Sequence, residues 1–275
     1  FEIITTKNYY FLKTKGNKDF IINENLIKKT FNILTENSLY AMERELKEGF
    51  ITINGGHRVG FTGEVVVRDN KIESIKNINS INFRIAHQMI GVAEKLIDYL
   101  YSKKTDSYYN TLIIGPPLSG KTTLLRDLIR IYSSGIVKKN IKSFKVAVID
   151  ERSEIGGSYK GIPQNNLGKR TDLLDNCPKS QGILMLIRTM SPEIIAVDEI
   201  GSKDDIEAII RALNSGVVLI ATIHGYNYQS YFNKKISKKL KELNIFERIV
   251  ILSSKKIGKV KSIEDEKGGK LICNL

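Results

Sequence analysis

The chain has 275 residues, 41% of them apolar, which is enough for one large domain or two of ordinary size around a sizeable core. Two distant cysteines, Cys177 and Cys273, exclude a disulfide framework and a metal-binding cysteine pattern, and they fit a reducing cytoplasm. No run of about 18 apolar residues is present to cross a bilayer, and the opening FEIITTKNYYFLK lacks the basic-then-apolar order of a signal peptide.

Formal net charge is +13, distributed unevenly. Residues 1–104 hold 16 Lys and Arg against 12 Asp and Glu, residues 105–275 hold 27 against 18, and the stretch 232–275 holds 12 against 5. Such a surplus suits an acidic partner such as nucleic acid, a membrane surface or an acidic protein, or reflects a Lys-rich proteome; it says nothing of fold.

The spacing predicts a mixed α+β domain over residues 1–104. Helix-like periodicity covers Glu24–Leu34 and Ser38–Lys47, with Gly49 as a C-cap after the second. Period two follows in Phe50–Ile53 and His57–Arg68, joined by Asn54-Gly55-Gly56, with Gly60 and Gly63 as candidates for bulges or close backbone approach. After a turn at Asp69-Asn70 another strand is expected over Ser80–Ile85. An amphipathic helix is expected over Gln88–Tyr101, then a short polar linker over Lys103–Tyr109.

From Asn110 strand and helix patterns alternate, as in an α/β domain around a parallel sheet; the domain is assigned to residues 105–275. Strands are expected at 111–114, 144–149, 194–197, 217–221 and 248–252, helices at 121–133, 181–190, 204–213 and, strongly basic, 228–243. A hairpin is expected within 259–271. The polar, glycine-rich stretch Gly156–Asn176 reads as a long functional loop.

The first strand runs into Gly115-Pro116-Pro117-Leu118-Ser119-Gly120-Lys121-Thr122, then Thr123 and a helix. This is G-x-x-x-x-G-K-[ST] with the strand before and helix after that confirm a phosphate loop. Its N–H groups can curl around phosphate oxygens, aided by the helix N-terminus. Lys121 is expected on the β- and γ-phosphates of ATP, and Thr122 on Mg²⁺. The strand 194–197 ends in Asp198-Glu199. Asp198 is the expected metal partner, and Glu199 can orient or deprotonate the attacking water. Strand 144–149 ends in Asp150-Glu151, so Glu151 is a second candidate for the water, ranked below Glu199 because Glu199 adjoins the metal Asp. His224 ends another strand and can hydrogen-bond the γ-phosphate or the attacking water and so sense hydrolysis. Arg58, Arg84, Arg170 and Arg188 are candidate sources of further positive charge. With strand 144–149 intervening between phosphate loop and Asp198, the arrangement resembles RecA-like P-loop ATPases of the additional-strand, catalytic-glutamate class.

The run from Arg188 through Ser191-Pro192 to Asp198-Glu199-Ile200-Gly201 resembles the Walker B region of type II and type IV secretion ATPases. Ala212–Gly216 with Ala221-Thr222-Ile223-His224 is similar to their histidine box, and Asp150-Glu151 falls at their acidic box. Gly55–Gly60, Ser80–Ala86, Gly115–Asp127, Asp150–Ile155 and Arg170–Asp175 resemble one branch more closely, the stage III sporulation AA family of endospore-forming bacteria. The resemblance covers about residues 45–225. It implies a cytoplasmic mother-cell ATPase, a homo-hexamer, docked on membrane-embedded subunits of a channel between mother cell and forespore. It also implies nucleotide between the two domains, which makes Arg58 and Arg84 candidates for phosphate contact. This sequence departs from the resemblance at Asp198, where secretion ATPases commonly have Gly, at Leu118, where the sporulation branch usually has Gly, and at His87, where Arg is more usual. The alternative reading is a nucleic-acid-dependent RecA-like ATPase. No aromatic-basic stacking run supports it, so no nucleic-acid partner is expected.

Overall fold

The computed structural model describes residues 2–5, 8–35, 46–47, 49–227, 240, 242–273 and 275. They form two compact units, Phe1–Ala86 and His87–Leu275. The expected helix over Ser38–Lys47 lies almost wholly outside the described residues, as does most of the basic helix over 228–243.

In the first unit, β1 (Glu2–Ile4) and β2 (Tyr9–Phe11) make a small antiparallel hairpin. Helix α1 (Glu24–Leu34) starts where the Asn23 side chain accepts the Leu26 N–H at 2.9 Å, with Glu24 placed to favour the positive helix end. Strands β3 (Phe50–Ile53), β4 (His57–Arg68) and β5 (Lys71–Arg84) form an antiparallel sheet in that order. Ile51, Val59 and Phe61 bury their side chains with Leu46, and Phe31 of α1 meets Phe61 edge to face at 5.1 Å. Of the two expected bulge glycines only Gly63 is one. The β4–β5 register shifts there, and a Cβ would stand 2.4 Å from the Lys76 carbonyl oxygen.

The second unit begins with a 3-10 turn, Glu94–Leu96, and a four-residue helix α2 (Ile97–Leu100). The expected continuous helix over 88–101 is therefore corrected. Gly91 takes φ 88 and interrupts it, leaving Met89 and Ile90 exposed while Ala93, Leu96, Ile97 and Leu100 enter the core. These buried residues are why 87–104 packs with the second unit rather than the first. Strands β6 (Tyr101–Ser102) and β7 (Ser107–Tyr108) form a hairpin where a linker was expected. Tyr108 stacks on Tyr132 at 3.6 Å, which ties that hairpin into the core.

The remaining elements are β8 (Thr111–Gly115), α3 (Lys121–Ser134), β9 (Val146–Asp150), β10 (Thr171–Asp175), α4 (Lys179–Met190), β11 (Ile194–Val197), α5 (Lys203–Asn214), β12 (Val218–His224), β13 (Arg248–Leu252), β14 (Val260–Asp265) and β15 (Lys270–Cys273). They build one eight-stranded sheet ordered β10-β9-β11-β12-β8-β13-β14-β15. The first six strands are parallel and the last two antiparallel. Two apolar layers cover the sheet: α3 packs on one face, α4 and α5 on the other. Two expectations change here. The stretch 156–176 is not all loop, because 171–175 pairs along β9 as an edge strand. And the strand inserted between β8 and β11 is β12; β9 lies on the far side of β11. Chain order and sheet order differ because each parallel crossover can skip a position.

Candidate active site

All five residues of β8 are buried, and the strand delivers Gly115 to the carboxyl end of the sheet, where α/β folds bind ligands. Gly115 is required by close packing: a Cβ would stand 2.4 Å from Ser119 Oγ and 3.1 Å from Leu252 Cβ. Gly120 is the N-cap of α3 with φ 97, a left-handed turn that suits glycine. Pro116 is buried, whereas Pro117 and Leu118 face solvent. Lys121 and Thr122 open α3, followed by half-buried Thr123. Lys121 is 7% exposed, and its Nζ donates to the Pro116 carbonyl at 2.9 Å. Burial lowers its pKa, while Asp198 and Glu199 oppose that by favouring the charged form.

The parallel strands β11 and β12 bring the other groups to the loop. Thr122 Oγ1 donates to Asp198 Oδ2 at 2.6 Å. Thr222 Oγ1 donates to the other carboxylate oxygen and accepts the Glu199 N–H at 2.9 Å. Glu199 has φ 54, unusual for a residue with a Cβ, and Thr222 holds its backbone there. Glu199 Oε1 lies 2.8 Å from His224 Nε2, and His224 Nδ1 lies 3.2 Å from Lys121 Nζ. Both contacts are satisfied together by a neutral imidazole protonated on Nε2, giving a continuous line Lys121–His224–Glu199. Arg152 Nη1 approaches Glu199 Oε2 at 3.5 Å.

The sequence offers Glu151 as a second candidate, after Glu199, for the attacking water. Here Glu151 follows β9, beyond β11, and pairs with Lys179 of α4. Its neighbour Asp150 is 2% exposed and accepts N–H groups of Glu154 at 2.8 Å, Ile155 at 2.9 Å and Gly156 at 2.7 Å. Burial pushes its carboxyl up to about 6 against those donors. Arg126 of α3 donates to the Ile155 carbonyl at 2.8 Å and the Glu154 carbonyl at 2.6 Å. The acidic turn is thus pinned to the helix of the phosphate loop. Arg126 and Thr222 are participants that the sequence does not single out; the signals for them are an arginine four residues beyond Thr122 on the helix and a threonine two before the histidine.

Arg170 precedes β10 and Arg188 lies in the last turn of α4, so both sit at the amino end of the sheet, away from the phosphate loop. Arg170 pairs with Glu193 at 3.5 Å. In the first unit Arg58 and Arg84 are direct cross-strand partners on β4 and β5, with Arg58 4.9 Å from the Phe50 ring.

The donor set fits a nucleotide with Mg²⁺. Thr122 and Asp198 offer oxygen ligands of the kind a hard cation takes, and Ser119 Oγ is buried beside the loop without a hydrogen-bond partner. Among the described residues no cluster of three or more His, Cys, Asp or Glu is placed to hold an ion. A divalent ion here would draw most of its oxygens from phosphate and water.

A family described as "Sporulation stage III, protein AA" matches residues 1–271. Stage III sporulation protein AA of Bacillus subtilis (strain 168) is 47% identical over 239 residues, covering 86% of this chain and 76% of that protein. An uncharacterized ycf45 protein of Cyanidium caldarium is 32% identical over 161 residues, 56% of this chain and 44% of that one. Among solved structures, the pilus retraction motor PilT with bound ADP superposes at TM-score 0.58 and 15% identity, covering 91% of this chain and 70% of that one. The Legionella pneumophila ATPase DotB superposes at 0.54 and 14% identity, covering 85% and 66%. These likenesses show the fold, α/β with a mixed eight-stranded sheet, to be the one that PilT and DotB share.

Proposed function

The chain belongs to the sporulation stage III, protein AA family, and from that premise we propose that it is a Mg²⁺-dependent ATPase, the motor of a secretion-type channel complex between mother cell and forespore. The observation that carries this reading is the direct contact of Lys121, Thr122, Asp198, Glu199 and His224 at the ends of β8, β11 and β12.

The phosphate loop and Lys121 bind the polyphosphate of ATP. Lys121 then trades its contacts to Pro116 and His224 for phosphate oxygens. Mg²⁺ held by Thr122 and Asp198 would neutralise charge on the β- and γ-phosphates. Glu199 orients a water molecule for attack and takes its proton. His224 joins Lys121 to Glu199, so it reports the presence or loss of the terminal phosphate to the base. Arg58 and Arg84 are assigned to phosphate contact. The working form is a homo-hexamer in the mother-cell cytoplasm, held at the membrane by membrane-embedded channel subunits. No helix of the described residues is long and apolar enough to cross a bilayer.

The test is nucleotide binding and phosphate release by two variants beside the parent. Lys121→Ala is expected to lose ATP binding. Glu199→Gln is expected to keep binding and to lose hydrolysis by about 10²–10⁴-fold, while Glu151→Gln stays near the parent rate. A parent that binds ATP and never hydrolyses it sinks the motor. Normal turnover by Glu199→Gln with a dead Glu151→Gln moves the water to Glu151.

A further inference from the structure

The turn that joins β13 to β14, residues 253–259, lies against the phosphate loop although it is about 130 residues away in sequence. The Gly258 N–H donates to the Ser119 carbonyl at 2.9 Å, and a Cβ on Gly120 would stand 3.3 Å from the Gly258 backbone. The turn has a defined shape. Ser253 Oγ accepts the N–H groups of Lys255 at 3.1 Å and Lys256 at 3.3 Å, and the Ser253 N–H donates to the Lys259 carbonyl at 2.8 Å. Gly258 has φ 73, a left-handed conformation with open space around its absent Cβ. Lys255, Lys256 and Lys259 are exposed and form no ion pair with a described residue.

In a trans peptide the carbonyl and the following N–H point to opposite sides. The Ser119 carbonyl is aimed at the turn, so the Gly120 N–H is aimed away from it, and no described group accepts it. A backbone N–H fixed in this way at a helix start is suited to an anion.

We propose that this turn is a second wall of the nucleotide site. Gly258 is a positioning residue that holds the Ser119–Gly120 peptide in its anion-accepting orientation, and Lys255, Lys256 and Lys259 attract a nucleoside polyphosphate. The proposal rests on the ATP-binding reading above and adds an element to it. It also gives part of the basic C-terminal stretch a role other than a solvated face.

ATP and ADP affinities are measured for the parent, Lys121→Ala, the triple variant Lys255→Ser/Lys256→Ser/Lys259→Ser, Gly258→Val and Gly258→Asn, with melting temperatures alongside. The triple variant is expected to bind ATP about three- to tenfold more weakly, ADP less so, and with a shallower salt dependence. Gly258→Val, which disfavours a left-handed φ, is expected to weaken both nucleotides about tenfold or more, and Gly258→Asn, which tolerates that φ, to restore them. If Lys121→Ala loses binding while the triple variant and Gly258→Val bind as the parent does, the turn has no part in the site. If the parent binds neither nucleotide, the ATP reading fails and this inference with it.

Discussion

Leu118 combines two unusual features: a φ of 60 and a side chain 89% exposed at the tip of the phosphate loop. Left-handed backbone costs a residue with a Cβ about 1–2 kcal/mol, and a side chain this exposed has little packing to offset it. Leu118→Gly relieves that strain but gives the unfolded chain more freedom, worth about 0.5–1 kcal/mol in the other direction. The expected outcome is a stability equal to the parent or up to about 1 kcal/mol higher. Leu118→Val, branched at Cβ, is expected to be less stable than the parent by about 1 kcal/mol. Urea midpoints check both, and a clear destabilisation by Gly would show that the Leu side chain is held by something outside this chain's described residues. The oddity of Leu118 was legible as a departure from a motif. That of Glu199, with φ 54, was not, because its strain depends on Thr222, 23 residues later, accepting its N–H.

The acidic turn after β9 shows what one buried carboxyl does to an element. Asp150 closes the turn through three backbone N–H groups, Arg126 ties the same turn to α3, and Arg152 extends from it to Glu199. Because burial raises the Asp150 pKa from 3.8 to about 6, the native state prefers the protonated carboxyl. Its contribution to stability is therefore full below about pH 4 and is lost as pH rises through about 6. Asp150→Asn, which cannot ionise, is expected to remove that segment of the pH dependence. Its urea midpoint should gain on the parent's between about pH 4 and pH 6. Parallel curves for the two proteins across that window would show that the carboxyl ionises as freely folded as unfolded. Most elements were legible from period and punctuation, β8 with α3 above all. Those that were not have physical causes. Gly91 divides an apolar pattern that reads as one helix, and β10 hides its strand character behind an acidic residue at its end and another at its second position. The placement of β12 between β8 and β11 is a property of crossovers, which no local window contains.

At the scale of the whole molecule, the function proposed above draws its phosphate loop, base and metal ligands from the second unit, while Arg126, Arg152, Arg170 and Arg188 of that unit are engaged with protein groups or lie away from the loop. Arg126 serves backbone carbonyls, Arg152 engages Glu199, and Arg170 and Arg188 lie at the opposite end of the sheet. Phosphoryl transfer usually adds a guanidinium to neutralise the transition state, in cis or from a neighbour. The first unit sets Arg58 and Arg84 directly across from each other on β4 and β5. Like charges in that relation destabilise a sheet, whereas the contact of Arg58 with the Phe50 ring favours it, so the two effects oppose one another. Arg58→Ala/Arg84→Ala is accordingly expected to melt close to the parent temperature while its maximal rate of ATP hydrolysis falls by about 10²-fold or more. Mixing this variant with Lys121→Ala separates the two geometries. Recovery of activity in the mixture means that one subunit's arginines complete another's phosphate loop, whereas no recovery means that each subunit completes its own. A double variant that hydrolyses ATP at the parent rate would remove both arginines from the chemistry and leave Arg152, released from Glu199, as the group to test.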